Sequence, residues 1–329
     1  MGNILVLGNG FDLYHGLKTR YYDFVQFVKN PPRDTEHRIK QICNQNTFLQ
    51  YFIKVCEIND NWIDCEEEIE RVVLLVQKIM DNSEINHNGI VDLMGTVISD
   101  VEFIIMRELK RYGTASNKRG FRFKNEYIKN NVIDKMKILQ DFRKELDEVI
   151  EALSYYLKKE LSQKDDIPKF DQISNIDIDV VINFNYTPTY SMVYCNETPV
   201  FYQHGKLDDN ESIVLGIPDN DKISLDFVYF KKYFQRIQKR SGILNKVMVA
   251  SHKILNGDVT SYFLGMCMGK TDEDLIKQIM DVSTKSVIFY YDQTDYEGKV
   301  VNLIDILGRK KLEECLNQEE IEFIKLSGE

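Results

Sequence analysis

The first apolar run of the chain is four residues long, Ile4-Leu5-Val6-Leu7, and it ends on Gly8-Asn9-Gly10. A short unbroken run of this kind fits a strand buried on both faces of a parallel sheet. The segment from Asp12 towards Val28 is amphipathic, and Pro31-Pro32 stops it. From about 36 to 165 the period becomes helical. Val72, Val73, Val76, Ile79 and Met80 share one face, and Met136, Leu139, Leu146, Ile150, Leu153 and Leu157 trace the stripe of a long helix. Residues 91–110 read as a further helix, and the basic stretch SNKRGFRFKN (116–125) as a solvated loop, with a phosphate contact as the alternative. After Pro168 strand-sized runs return at 179–185, 200–204, 212–216, 261–265 and 286–291, with helical patterns such as 226–240 between them. With residues 4–7 these make about six strands alternating with helices, the pattern of a parallel sheet covered on both faces. The expected fold is therefore α/β: a Rossmann-like parallel sheet of about six strands flanked by helices, interrupted by an all-helical insertion. The core is discontinuous, residues 1–35 and 166–329, and the insertion spans 36–165.

Composition narrows the function classes. The 329 residues are 43% hydrophobic and 29% charged, enough for one large domain or two ordinary ones. A net charge of -10 works against nucleic acid as a partner, although a local patch could still bind it. Six cysteines fall at wide, irregular spacings without a Cys-x-x-Cys pair, so neither a zinc site nor a disulfide scaffold is expected. Reduced thiols in cytoplasm are the simpler reading. The amino end lacks the pattern of a signal peptide, and no run of about 18 apolar residues occurs, so no membrane span is expected.

The candidate chemistry lies at strand ends, because ligands in open α/β sheets bind beyond the carboxyl ends of the strands. Gly8-Asn9-Gly10 ends the first predicted strand, Asn185-Tyr186-Thr187 the second and His204-Gly205 the third, while Gly265 with Asp272 follows the fifth. Four such ends could converge on one crevice. Glycines at 8 and 10 let backbone amides approach an anion at a helix start. Leu13 stands where a third glycine would complete a dinucleotide fingerprint, so a tight turn with Asp12 as a cap is the plain alternative. His204 is one of five histidines, and its place between an apolar run and a glycine is expected to expose the ring at the sheet edge, where it could act as a general base. The Asn185 amide could hold a sugar hydroxyl or a water, or simply bond its own turn. The stretch NWIDCEEEI (61–69) puts Asp64, Glu66, Glu67 and Glu68 at a helix start, where they complement the dipole or, alternatively, hold a metal.

Taken together, ILVLGNGFDLYHGLKTRYYDF at the start, NWIDCEEEI, INFNYTPTY (182–190), YQHGKLDD (202–209) with IVLGIPD (213–219), and FLGMCMGKTDEDLI (263–276) resemble the bacterial abortive-infection AbiH family. More remotely, the series is similar to sirtuin-like NAD-hydrolysing defence domains. That second likeness implies NAD+ as substrate, no prosthetic cofactor and no metal. It implies that Asn185 works at the nicotinamide ribose, with Tyr186 beside it, and that His204 is catalytic, with Gly205 following. It likewise implies that Gly8, Asn9, Gly10, Phe11, Asp12 and Thr19 form the phosphate-facing loop, and that Gly265 and Asp272 lie at the adenosine side. Two departures stand out. Met266 and Cys267 occupy the places of a histidine and a serine common in AbiH relatives, and Phe11 is bulky where sirtuins carry alanine. The zinc ribbon of deacylating sirtuins has no counterpart in the cysteine pattern. The resemblance thus leads to an antiphage NAD+ glycohydrolase, triggered through self-assembly or a phage-derived partner on the helical insertion. Its alternatives are a nucleotide sensor that does not cut, a partner-binding defence protein, and a metal-dependent nuclease built on the 64–68 carboxylates.

Overall fold

The computed structural model describes residues 2–59, 63–81, 90–93, 97–164, 167–169, 171–194, 197–218, 221–241, 257–269 and 272–326. Trp62, His87, Cys195 and His252 lie outside the described residues.

The main sheet is built from β1 (Gly2–Leu7), β2 (Val180–Asn183), β3 (Val200–Tyr202), β4 (Val259–Leu264), β5 (Lys285–Tyr290) and β6 (Ile321–Lys325). Its spatial order is β6-β5-β4-β1-β2-β3, and every neighbouring pair is parallel. Read from the other edge the order is 3-2-1-4-5-6, that of doubly wound dinucleotide-binding sheets, and the winding reverses between β1 and β4. Leu5 of β1 stands in register with Val181 on one side and Tyr262 on the other. Successive residues point to opposite faces, and both faces are buried. Ile4, Val6, Ile182, Phe263 and Ile288 pack with Ile276 and Leu303 from the helices Glu273–Asp281 and Gln293–Leu307. Leu5, Leu7, Val181 and Phe289 pack with Phe11 and Tyr190 on the other side. Two covered faces explain why the strands read as unbroken apolar runs.

One predicted strand is not in the ladder. Residues 213–216 are buried but belong to no strand, and Val214 donates its N–H to the His204 carbonyl at 2.8 Å. The sixth strand is β6, whose Glu322 and Lys325 alternate with apolar residues and break up the run. It pairs with β5 alone, at the edge of the sheet.

The chain divides into two compact units, Met1–Arg20, Leu157–Val214 and Arg236–Glu329 forming one and Tyr21–Tyr156 with Leu215–Gln235 the other. The first holds the six-stranded sheet. The second is mainly helical, with the helices Thr47–Ile58, Cys65–Asp81 and most of Lys135–Ser162 among its elements. Phe142 lies in its core between Phe48 and Phe230, with ring centroids 4.8 and 5.3 Å away.

This unit also holds strands, so the expectation of an all-helical insertion is corrected in detail. Ile90–Asp92, Gly120–Phe123 and Gly113–Asn117 form an antiparallel three-stranded sheet. The basic stretch 116–125 therefore includes a hairpin turn. Phe121 and Phe123 face inward and Arg122 outward, a period of two that the surrounding charges mask. Within 91–110 the helix starts only at Asp100, where Ser99 and Glu102 form a reciprocal capping box.

The acidic stretch at 64–68 is absorbed by the same unit. Asp64 Oδ1 accepts the N–H groups of Glu66 and Glu67 at 2.9 and 3.3 Å, capping the helix Cys65–Asp81. Glu66 pairs with Lys232 at 2.8 Å, both buried. Glu68 accepts the Tyr51 hydroxyl at 2.6 Å and Arg71 Nη1 at 2.9 Å. These carboxylates answer cations, hydroxyls and amides of the chain itself. Among the described residues, no group of three or more His, Cys, Asp and Glu side chains could hold a metal, and no helix is long and apolar enough to cross a membrane.

Candidate functional site

The loops after β1 and β4 flank the point where the winding reverses, and they lie backbone on backbone. Gly8 donates its N–H to Leu264 O at 3.0 Å, and Gly10 donates to Gly265 O at 2.9 Å. Gly265 has φ +68°, and a Cβ there would stand 2.1 Å from Phe11 N. A Cβ on Gly10 would stand 2.7 Å from Gly265 Cα. These glycines are therefore required by close approach of two loops, and the Gly8 and Gly10 amides face protein carbonyls. The outward-facing polar side chains of this corner are Asn9 and Thr19, joined by a Thr19 Oγ1–H to Asn9 Oδ1 bond of 2.6 Å. Phe11, expected in the phosphate-facing loop, is 1% exposed and packs in the core on one face of the sheet.

Asp12 is buried too. It accepts the Thr187 hydroxyl and so ties the first loop to the turn after β2. Burial pushes its carboxyl from 3.8 up to about 6, against hydrogen bonds from Thr187 and Thr189 that pull it down. The folded value lies above the unfolded one. The associated stability is therefore complete below about pH 4 and is lost as pH rises through about 6. The move from 3.8 to about 6 corresponds to roughly 3 kcal/mol. Asp12→Asn keeps an acceptor for Thr187 and removes the charge. Urea unfolding at pH 5 and pH 8 is expected to show the variant more stable than the parent at pH 8, with the gap narrowing at pH 5. An equal difference at both values would contradict this.

Asn185 donates from Nδ2 to Gly8 O at 3.0 Å, and its own N–H donates to Asn183 Oδ1 at 2.9 Å. The His204 ring lies 5.5 Å from the Phe184 ring and 6.4 Å from Tyr186, the two chain neighbours of Asn185. The structure thus brings the ends of β1, β2 and β3 together around these residues.

The imidazole is not exposed, as the sequence suggested, but only 5% accessible. Gly205, at φ +80°, turns the chain back so closely that a Cβ would meet Ser212 O at 2.1 Å. The returning segment bonds His204 O through Val214, and the Tyr186 hydroxyl donates to Val214 O at 3.0 Å.

Asp272, expected at the adenosine side, instead stands beside His204, with Oδ1 3.1 Å from Nε2. The same oxygen lies 3.4 Å from Arg236 Nη2, and Arg236 Nη1 reaches Asp274 Oδ2 at 2.8 Å. Arg236 was not singled out in the sequence. Its signal was only a cation in the amphipathic segment 226–240, where most cations face solvent. Of the two residues in the place of the AbiH histidine and serine, Met266 is buried in the sheet core and Cys267 is exposed.

Four of the stretches that carried the AbiH resemblance, those around residues 8–12, 182–190, 202–209 and 263–276, meet in this site. A model of the bacteriophage abortive infection AbiH family matches residues 4–292. The chain belongs to that family. Membership gives this AbiH protein a role in the abortive infection that halts bacteriophage. Neither the curated proteins nor the solved structures yield a match to it.

Chemically, the AbiH site offers a buried histidine with a carboxylate oxygen 3.1 Å from Nε2, an imidazole that can take up a proton near neutral pH. A carboxylate so placed also stabilises the imidazolium formed when the ring takes a proton.

Proposed function

We propose that this AbiH protein is an NAD+ glycohydrolase that depletes NAD+ in the infected cell. The observation that carries the reading is the His204–Asp272 pair, 3.1 Å apart, at the carboxyl edge of a 3-2-1-4-5-6 sheet beside the end of β2 that bears Asn185. Water attacks the ribose carbon as the nicotinamide bond breaks. Nicotinamide leaves as a neutral molecule, so the departing nitrogen needs no strong acid. His204 takes the proton of the water, and the products are ADP-ribose, nicotinamide and one proton. Asn185, anchored on Gly8, holds the ribose or the water. Since the Gly8 and Gly10 amides are engaged, the diphosphate is met by side chains at the outer rim, Asn9 and Thr19 first. The trigger is self-assembly or a phage-derived component.

The test is release of nicotinamide by the purified protein. His204→Ala and Asn185→Ala are each expected to lower it by about 10²–10⁴-fold while circular dichroism is unchanged. Wild-type turnover by both variants would remove these residues from the mechanism. The burial of His204 favours a second reading, a nucleotide sensor that binds without cutting. Stable NAD+ binding with no nicotinamide released would select it.

A further inference from the structure

We propose that Arg236 is a positioning residue that shares the Asp272 carboxylate with His204 and thereby keeps the imidazole neutral near pH 7. The proposal rests on the His204 role argued above.

One oxygen, Asp272 Oδ1, is approached from two sides, by His204 Nε2 at 3.1 Å and Arg236 Nη2 at 3.4 Å. The guanidinium is only 7% exposed and comes from the helix Lys232–Lys239. Its other arm is held by Asp274 at 2.8 Å, and that side chain is 55% exposed. Burial favours the neutral ring, but a carboxylate 3.1 Å away draws it towards the protonated form, which would weaken it as a base at neutral pH. A fixed positive charge behind the same carboxylate oxygen opposes that pull. The charged groups near the imidazole include Asp272 directly, Arg236 behind it and Asp274 beyond, and Phe184 and Tyr186 contribute rings.

Arg236→Gln should therefore raise the His204 titration by about one pH unit. Arg236→Lys, which keeps the charge, should leave it near the wild-type value. The measurement is an imidazole ¹⁵N–¹H correlation series from pH 5 to 9, with the His204 signal identified by its absence in His204→Gln. The acid limb of nicotinamide release should move upward by the same amount, with rates recovering at pH 9. A residue that merely held the fold would lower the rate at every pH and leave the titration in place.

Asp274→Asn, on an exposed side chain, serves if Arg236→Gln does not fold. With Asp274 neutral, Arg236 is committed to Asp272 and the His204 titration should fall. An unshifted titration in the folded variant overturns the proposal. The titration needs no turnover, so absence of NAD+ cleavage would defeat the glycohydrolase reading without deciding this one.

Discussion

Gly265→Ala is expected to lose about 3–5 kcal/mol of unfolding free energy and, with it, the geometry of the site. Three causes add. Alanine in the left-handed region is strained by roughly 1–2 kcal/mol. The added Cβ would lie 2.1 Å from Phe11 N and 2.5 Å from Gly10 C, both backbone atoms that cannot swing aside. Separating the loops then weakens the Gly8–Leu264 and Gly10–Gly265 hydrogen bonds, each worth about 1 kcal/mol. Asn185 would lose its anchor as well, since it donates to Gly8 O. Gly298 is the control. It lies inside the helix Gln293–Leu307 with no atom within 4 Å of an added Cβ. Gly298→Ala should therefore stabilise by about 0.5–1 kcal/mol. Urea midpoints for the two variants, shifted in opposite directions, are the expected result. A Gly265→Ala midpoint within error of wild type would mean the two loops are not in contact.

Lys232→Met is expected to be the other severe substitution, costing about 3–5 kcal/mol. Lys232 and Glu66 are 2% and 7% exposed and 2.8 Å apart. Methionine fills the volume of the lysine stem but takes the Lys232 charge away from the buried Glu66 carboxylate. Replacing both, Lys232→Met with Glu66→Gln, should recover most of the loss, because the cost arises from the buried charge left behind and not from the absence of a strong net bond. The measurement is a double-mutant cycle of unfolding free energies. If the double variant is as unstable as the sum of the singles, the pair contributes through packing and the charge argument fails. Metal-dependent nicking that survived Glu66→Gln would likewise separate this carboxylate from any nuclease activity.

The sheet was legible where both faces of a strand are buried. Ile4 to Leu7 and residues 180–182 read as unbroken apolar runs because each side chain enters one of two cores. Ile321–Lys325 did not, because Glu322 and Lys325 interrupt it. Ile213 to Gly216 misled for the converse reason: a buried returning loop is as apolar as a strand, and only the ladder distinguishes them. The residues Asn185 and His204 could be singled out because both follow apolar runs directly. Their partners could not. Asp272 meets His204 across 68 positions of chain, and Arg236 meets Asp272 across 36, separations at which periodicity carries no information. The glycines at 8, 10 and 265 were legible as backbone positions, but not their purpose. A glycine that admits an anion and one that admits another loop look the same in a sequence.

β1 spans residues 2–7, yet its two neighbours are residues 180–183 and 259–264. During synthesis β1 can pair on one side once residues 180–183 are made, but its other side stays open until residues 259–264 have left the ribosome. Long-range parallel pairing of this kind is slow to form. A nascent or prematurely terminated polypeptide therefore holds no assembled site, since Gly10 has no Gly265 to lie against and His204 no Asp272. For a protein whose proposed activity would harm the cell that makes it, the topology itself delays the hazard until Asp272 has been made and can reach His204.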